Sequence, residues 1–129
     1  MKPLHALLLI TALAALFACT PLRSSAPSPE GLAKIEFDLS ALDADGLIGP
    51  PDGKVSVAYE FAIPDTAACR AEVLAIDPSI QISKSRGRIG ATADQCLCIG
   101  DTNHPNHIEI LHRLAELPYV ERIARCWFE

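Results

Sequence analysis

Alternation of polar and apolar positions organises the first part of the folded chain. Residues 34–39 alternate strictly, which predicts a half-buried strand. Residues 55–63 alternate again, with Val, Val, Tyr, Phe and Ile on one side, and predict a second strand. The segment between them, residues 40–54, is rich in Asp, Gly and Pro and is typical of a long turn region.

Two later segments change to a helical spacing of apolar residues. Residues 66–76 carry an apolar stripe that begins at Cys69, and a Pro shortly after them ends the predicted helix. Residues 106–117 are the stronger helix, because Asn106 and Glu109 have the spacing of a capping box at its start.

Three short apolar runs complete the predicted elements. Residues 80–83, 95–99 and 120–128 are predicted strands, and residues 84–92 form a glycine-punctuated connection. From residue 55 the order is β-α-β-β-α-β, which predicts an α+β fold of the ferredoxin-like type. Both helices are expected on one face of a four-stranded antiparallel sheet, with residues 34–39 as an extra N-terminal strand. The other face of that sheet must be wet, covered or used for association.

The N-terminus has a different pattern. After the basic Lys2, an apolar run extends over residues 6–17 and is interrupted only by Thr11. This run is typical of a secretory signal, since it is too short to span a bilayer as a mature helix. Alternatives are a signal that is cut after another small residue and a retained anchor helix.

The end of this run, Leu16-Phe17-Ala18-Cys19, resembles the lipobox of bacterial lipoproteins. The resemblance implies that residues 1–18 are removed, that Cys19 carries a covalent lipid, and that this lipid attaches the protein to the cell envelope. Two or three acyl chains hold a protein firmly at a membrane. In enteric lipoproteins an Asp after the lipidated Cys favours the inner membrane. Thr20 therefore favours the outer membrane, facing the periplasm.

Residues 19–33 follow as a Ser- and Pro-rich stretch, which predicts a flexible linker that reaches up to roughly 40 Å. Residues 34–129 then form a single small domain.

Removing residues 1–18 from the 129-residue chain leaves 111 residues with a formal charge of −6, since Lys2 is lost. We expect no nucleic-acid partner, because a phosphate backbone requires clustered Lys and Arg. The lipid would be the only membrane anchor, because no second apolar run is long enough to span.

Four cysteines remain in the mature chain. The predicted fold brings Cys69, in the first turn of its helix, close to Cys96, at the start of its strand, so a disulfide between them is one expectation. The other is that all four are free and buried.

Cys96 and Cys98 project from the same face of a strand, and two thiolates there could begin a copper or zinc site or a redox pair. Copper chaperones of this fold instead carry Cys-x-x-Cys after the first strand, where this chain has Ile-Pro-Asp-Thr. No other cofactor is indicated.

The remaining candidate residues point to binding. Arg86 and Arg88 form the only local basic cluster and could contact an anion or a partner, or merely lie in solvent. Trp127 is the candidate interface residue, since a Trp on an uncovered sheet face suits a protein contact. No nucleophile, metalloprotease or phosphate-loop motif is present. We therefore expect a non-enzymatic domain that binds another protein or itself, and the alternative is a thiol-based metal or redox protein.

Residues 114–121, Leu-Ala-Glu-Leu-Pro-Tyr-Val-Glu, resemble the end of subtilisin-type propeptides and inhibitors, which share the ferredoxin-like fold. The resemblance implies that a protease would be bound through the C-terminal segment.

Overall fold

A computed structural model describes residues 26–128 of the chain. The predicted signal sequence and Cys19 therefore lie outside the described residues. Over these residues the protein is a mixed α+β domain with antiparallel sheets and three helices. The helices are α1 (Pro29–Ala33), α2 (Ala67–Ile76) and α3 (His107–Ala115), with a 3₁₀ helix at Leu39–Ala41. The strands are β1 (Leu47–Ile48), β2 (Val55–Ser56), β3 (Ala58–Pro64), β4 (Gln81–Ser83), β5 (Gln95–Asp101) and β6 (Ala124–Arg125). Within residues 26–128 no helix has the length and apolar character needed to span a membrane.

The described part of the chain contains two sheets. The larger has four strands in the order β4-β5-β3-β6, and every neighbouring pair is antiparallel. Its centre is the β3–β5 pair, in which Phe61 lies opposite Cys98. The smaller sheet is the β1–β2 hairpin, which occupies part of the predicted turn region over residues 40–54.

The core lies between the larger sheet and the two long helices. The alternation in β3 places Tyr59, Phe61 and Ile63 on the helix side, where each is at most 1% exposed. Val73 of α2 packs on this face, as do buried residues of α3, so the predicted buried sides of β3, α2 and α3 are confirmed. Val55 was predicted on the same face as Tyr59, but it lies on β2 and is 56% exposed. The core comprises Tyr59, Phe61, Ile63, Val73, Ile80, Cys96, Cys98, Ile110, Leu111, Leu114, Ala115, Leu117, Val120 and Ile123.

Helix starts differ in their capping. The side chain of Thr66 accepts a hydrogen bond from the backbone N–H of Cys69 at 3.1 Å, which caps α2. Asn106 precedes α3, but its side chain makes no capping hydrogen bond. Its φ and ψ of −110° and 28° differ from the extended backbone of a typical N-cap residue. The predicted capping box is therefore wrong.

The extra N-terminal strand over residues 34–39 does not form. Ile35 makes only an isolated parallel bridge to Ile123. The chain then leaves the sheet edge, because the ring of Phe37 packs on Tyr59, with ring centroids 6.3 Å apart, and Asp38 caps a 3₁₀ turn. The predicted linker over residues 19–33 also ends early, since Pro29–Ala33 is helical and Ser28 caps it.

The last predicted strand, residues 120–128, shortens to Ala124–Arg125. The backbone N–H of Cys126 donates to the carbonyl of Ala58 at 2.8 Å. Since β3 begins at Ala58, the residues after Cys126 have no further partner in that strand. Before the strand, Ile123 exchanges backbone hydrogen bonds with the segment around Ile35 instead.

Candidate functional site

The end of the chain presents aromatic side chains to solvent. Trp127 is 56% exposed and Phe128 is 74% exposed, whereas large apolar residues of the core are almost fully buried. The guanidinium of Arg125 lies over the Trp127 ring, 3.8 Å from its centroid. We call Arg125, Trp127 and Phe128 the C-terminal patch. Val55 is also 56% exposed. It lies on β2, which comes directly before β3 in the chain, and the start of β3 is beside this patch.

The patch follows from the register of β6. Arg125 lies opposite Tyr59. The backbone N–H of Cys126 donates to the carbonyl of Ala58, so Cys126 pairs with the first residue of β3. Trp127 and Phe128 therefore begin where the sheet has ended, so no neighbouring strand covers them. The sequence identified Trp127 but not Phe128 or the stacked arginine.

The outer face of the larger sheet is covered by the loop over residues 84–94. Leu97 is only 3% exposed, and Glu60, which shares this face, is 2% exposed. The Glu60 carboxylate accepts the backbone N–H of Ile89 at 2.6 Å. A Cβ on Gly87 would lie 2.6 Å from Leu97 Cδ1, so the loop backbone rests on the sheet there. This face is therefore not available as a broad interface.

The predicted basic cluster lies on this loop. Arg86 and Arg88 are both exposed. Burial raises the pKa of the Cys126 thiol, the nearby Glu60 adds to the rise, and the charge of Arg88 opposes it. Arg88 therefore lies within electrostatic reach of the C-terminal strand. Sequence reasoning missed Glu60, because the alternation of this strand places it on the side opposite Tyr59 and Phe61, where a carboxylate is expected to lie in solvent.

The four described cysteines are free thiols, and the Cys69–Cys96 bridge is not formed. Cys96 and Cys98 are buried on the helix side of the sheet. Burial, with a smaller effect of Cys96, raises the pKa of Cys98 to about 12, so that thiol is protonated at neutral pH. A protonated, buried thiol is a poor metal ligand and a poor nucleophile. Within residues 26–128 no group of three or more His, Cys, Asp or Glu side chains is placed to hold a metal ion.

Cys96 belongs to a polar cluster at one end of the sheet. Its thiol donates to Asp65 Oδ1 at 3.1 Å, and Lys84 Nζ donates to Asp65 Oδ2 at 2.7 Å. Arg70 also pairs with Asp65. Lys84, and then Cys96, lower the pKa of Asp65 to about 2. Lys84 further donates to the carbonyls of Ala93 and Gln95 at 3.0 and 3.2 Å, so the cluster joins both ends of the loop over residues 84–94.

A Ser-His-Asp group lies at the opposite end of the sheet. Ser79 Oγ donates to Asp77 Oδ1 at 2.6 Å and lies 3.1 Å from His104 Nε2. In a catalytic triad the carboxylate orients the other ring nitrogen, so that Nε2 can accept the serine proton. Here the serine proton goes to Asp77, and His104 Nε2 is also 3.8 Å from Asp77 Oδ2. Asp77 additionally accepts the backbone N–H of Ser79, so the group forms a turn after α2 and does not activate the serine.

An open groove of about 1240 Å³ runs between α2 and α3 and was not predicted. Apolar residues such as Ile76 and Ile108 line it together with charged residues such as Glu109 and Arg113. The buried polar groups described above, Glu60 and Asp77, are not among its lining residues. The groove therefore has the character of a shallow surface between helices.

The segment that resembles protease propeptides, residues 114–121, is largely inside the domain. Leu114, Ala115 and Val120 are at most 1% exposed, and Leu117 is 9% exposed. The segment forms the end of α3 and the following turn, so most of its side chains are engaged in the core.

Comparisons with protein families, with curated proteins and with solved structures find no match to this chain.

Proposed function

We propose that this protein is a lipid-anchored bacterial envelope domain that acts by binding another protein, without catalysis of its own. The lipobox-like Leu16-Phe17-Ala18-Cys19 supports the anchor, and Cys19 is the residue that would carry the lipid. Thr20 favours the outer membrane as the site of anchoring.

The tether in this proposal is shorter than the sequence pattern indicates. The backbone N–H and the hydroxyl of Ser28 both donate to Glu116 Oε1, at 2.7 and 2.8 Å, which holds the start of α1 against the end of α3. The tether then spans residues 20–27, and at about 3.1 Å per residue it reaches at most roughly 25 Å. The domain would work close to the membrane surface.

We also propose that the domain is a ferredoxin-like fold extended by the β1–β2 hairpin. In the β-α-β-β-α-β unit that begins at β3, this fold requires the sheet order second, third, first, fourth. The order β4-β5-β3-β6 supports that assignment. The fold hosts many functions, so it does not select one.

The observation that carries the binding function is the C-terminal patch. A half-exposed Trp with a guanidinium on its ring and an exposed Phe beside it combine the residue types that contribute most to protein interfaces. The outer sheet face, the other surface that this architecture offers, is occupied by the protein's own loop.

Chemical cross-linking in isolated envelopes tests this function. We expect the full-length protein to form a specific cross-linked species that Trp127→Ala abolishes. Leu74→Ala is the matched control, because Leu74 is an exposed apolar residue on α2, outside the patch, and its loss should change nothing. Equal cross-linking of all three proteins would contradict the proposed function. The intact mass of the extracted protein separately tests the lipid on Cys19, and an unmodified thiol there would refute the anchor.

A further inference from the structure

We infer that the partner of the C-terminal patch is an acidic protein segment that carries apolar side chains, and that it is not a second copy of this chain. The inference rests on the proposed function, because it names the chemistry of the partner at the same surface. It is drawn from the distribution of charge around the exposed aromatic residues.

Positive charge is concentrated near the patch in a protein that is acidic as a whole. The covering loop over residues 84–94 and the last segment over residues 120–129 together carry more basic than acidic residues: Lys84, Arg86, Arg88, Arg122 and Arg125 against Asp94, Glu121 and Glu129. Arg125 is part of the patch itself, and Arg88 acts electrostatically on Cys126, the residue before Trp127. Glu36 lies 3.6 Å from Arg122 Nε, and Glu60 is buried beneath the loop. The guanidinium that contacts the Trp127 ring is that of Arg125.

An arginine stacked on a Trp ring can still bind a carboxylate. The stack uses the flat face of the guanidinium, while its N–H groups point outward in its plane. A partner carboxylate can therefore accept two hydrogen bonds from Arg125 while an apolar side chain of the same segment packs on Trp127 and Phe128. This geometry selects a segment in which acidic and apolar residues occur together.

The same charge disfavours self-association through the patch. In a two-fold dimer the same surface meets itself, so the Arg125 side chains of the two copies would approach each other along with the aromatic rings. Like charges facing each other weaken such a contact. An acidic partner removes this repulsion.

The single Trp of the chain allows a direct test, since all tryptophan emission of the purified full-length protein comes from Trp127. The probe is a short synthetic peptide that alternates Glu and Leu. Peptides that alternate Lys and Leu, or Glu and Ser, are the comparison probes. We expect the Glu-Leu peptide alone to shift the emission to shorter wavelength, and added salt to weaken its binding.

Arg125→Gln should weaken binding by about two- to fivefold, as for an exposed ion pair. Arg113→Gln removes the same charge from the exposed side of α3 and should leave binding unchanged.

Other outcomes overturn the inference in distinguishable ways. A shift that appears without peptide and grows with protein concentration identifies a second copy, and it leaves the proposed function intact. Equal or tighter binding of the Lys-Leu peptide, or equal losses in Arg125→Gln and Arg113→Gln, refutes the acidic partner only. A shift produced by phosphatidylglycerol vesicles and not by the peptide identifies a membrane contact, and it contradicts both the inference and the protein-binding function.

Discussion

Adding one methyl group to Gly87 should measure how firmly the loop over residues 84–94 is seated on the sheet. The Cβ of Gly87→Ala would lie 2.6 and 2.9 Å from the two methyl groups of Leu97 and 3.0 Å from Glu60 Oε2. Ordinary contacts between carbon atoms are about 3.5–4.0 Å. Leu97 is 3% exposed and cannot turn into solvent, so either the loop lifts or the core beneath it repacks.

Two contributions add at this position. Gly87 has a φ of +59°, and a left-handed conformation costs an L-residue about 1–2 kcal/mol. Overpacking of a buried site costs about 1–3 kcal/mol more. We therefore expect Gly87→Ala to lower the free energy of unfolding by about 2–5 kcal/mol.

Gly90 provides the control for backbone strain within the same loop. Its φ is +78°, but a Cβ there would meet no atom within 4 Å. Gly90→Ala should therefore cost only the conformational part, about 1–2 kcal/mol, reduced slightly by the lower entropy of the unfolded chain. Urea unfolding followed by circular dichroism measures both variants, which should share the slope of the wild type. Equal destabilisation of the two variants would refute the packing of the loop on Leu97, and with it the argument that the outer face is unavailable.

Three further predictions concern single interactions. Thr66→Ala should lower the free energy of unfolding by about 0.5–2 kcal/mol, because it removes the cap of α2. Asn106→Ala should change that free energy little, since the Asn106 side chain makes no capping hydrogen bond. Equal losses of the two variants in urea unfolding would contradict the assignment of Thr66 as a cap and Asn106 as none. Because Lys84 holds the pKa of Asp65 at about 2 instead of 3.8, the stability that this carboxylate contributes is complete above about pH 4 and is lost as the pH falls towards 2. Asp65→Asn should flatten the dependence of stability on pH in that interval, and an unchanged pH profile would refute it. Cys98, with its pKa raised to about 12, should resist a thiol reagent in the native state at neutral pH and react after unfolding in urea, so rapid native labelling of Cys98 would contradict its burial.

The elements that the sequence predicted correctly are those whose pattern is local. The alternation in β3 and the helical spacing of α2 and α3 record which side of each element is buried, and Phe61 and Val73 lie in the core as expected. Residues 34–39 alternate as clearly, yet they form one bridge only. Alternation shows that one side is buried but does not show whether a partner strand is within reach.

The candidate site was predictable only in part for the same reason. Trp127 stands out as the single Trp of the chain. Its stacking with Arg125 depends on where β6 stops against β3, which no local pattern specifies. The burial of Glu60 depends on a distant loop, whose Ile89 donates its backbone N–H to the Glu60 carboxylate across a sequence separation of 29. Contacts of this kind follow from the tertiary fold and not from residue spacing.

Photo-cross-linking from position 127 in living cells shows whether the C-terminal patch contacts a protein partner. A benzophenone-bearing phenylalanine replaces Trp127 in the full-length protein, and the same residue placed at Leu74 is the control. We expect one discrete adduct in the envelope fraction from position 127, with a protein that carries an acidic segment, and no such adduct from position 74. The absence of an adduct from position 127, or the same adducts from both positions, would contradict the claim that the C-terminal patch binds a protein partner.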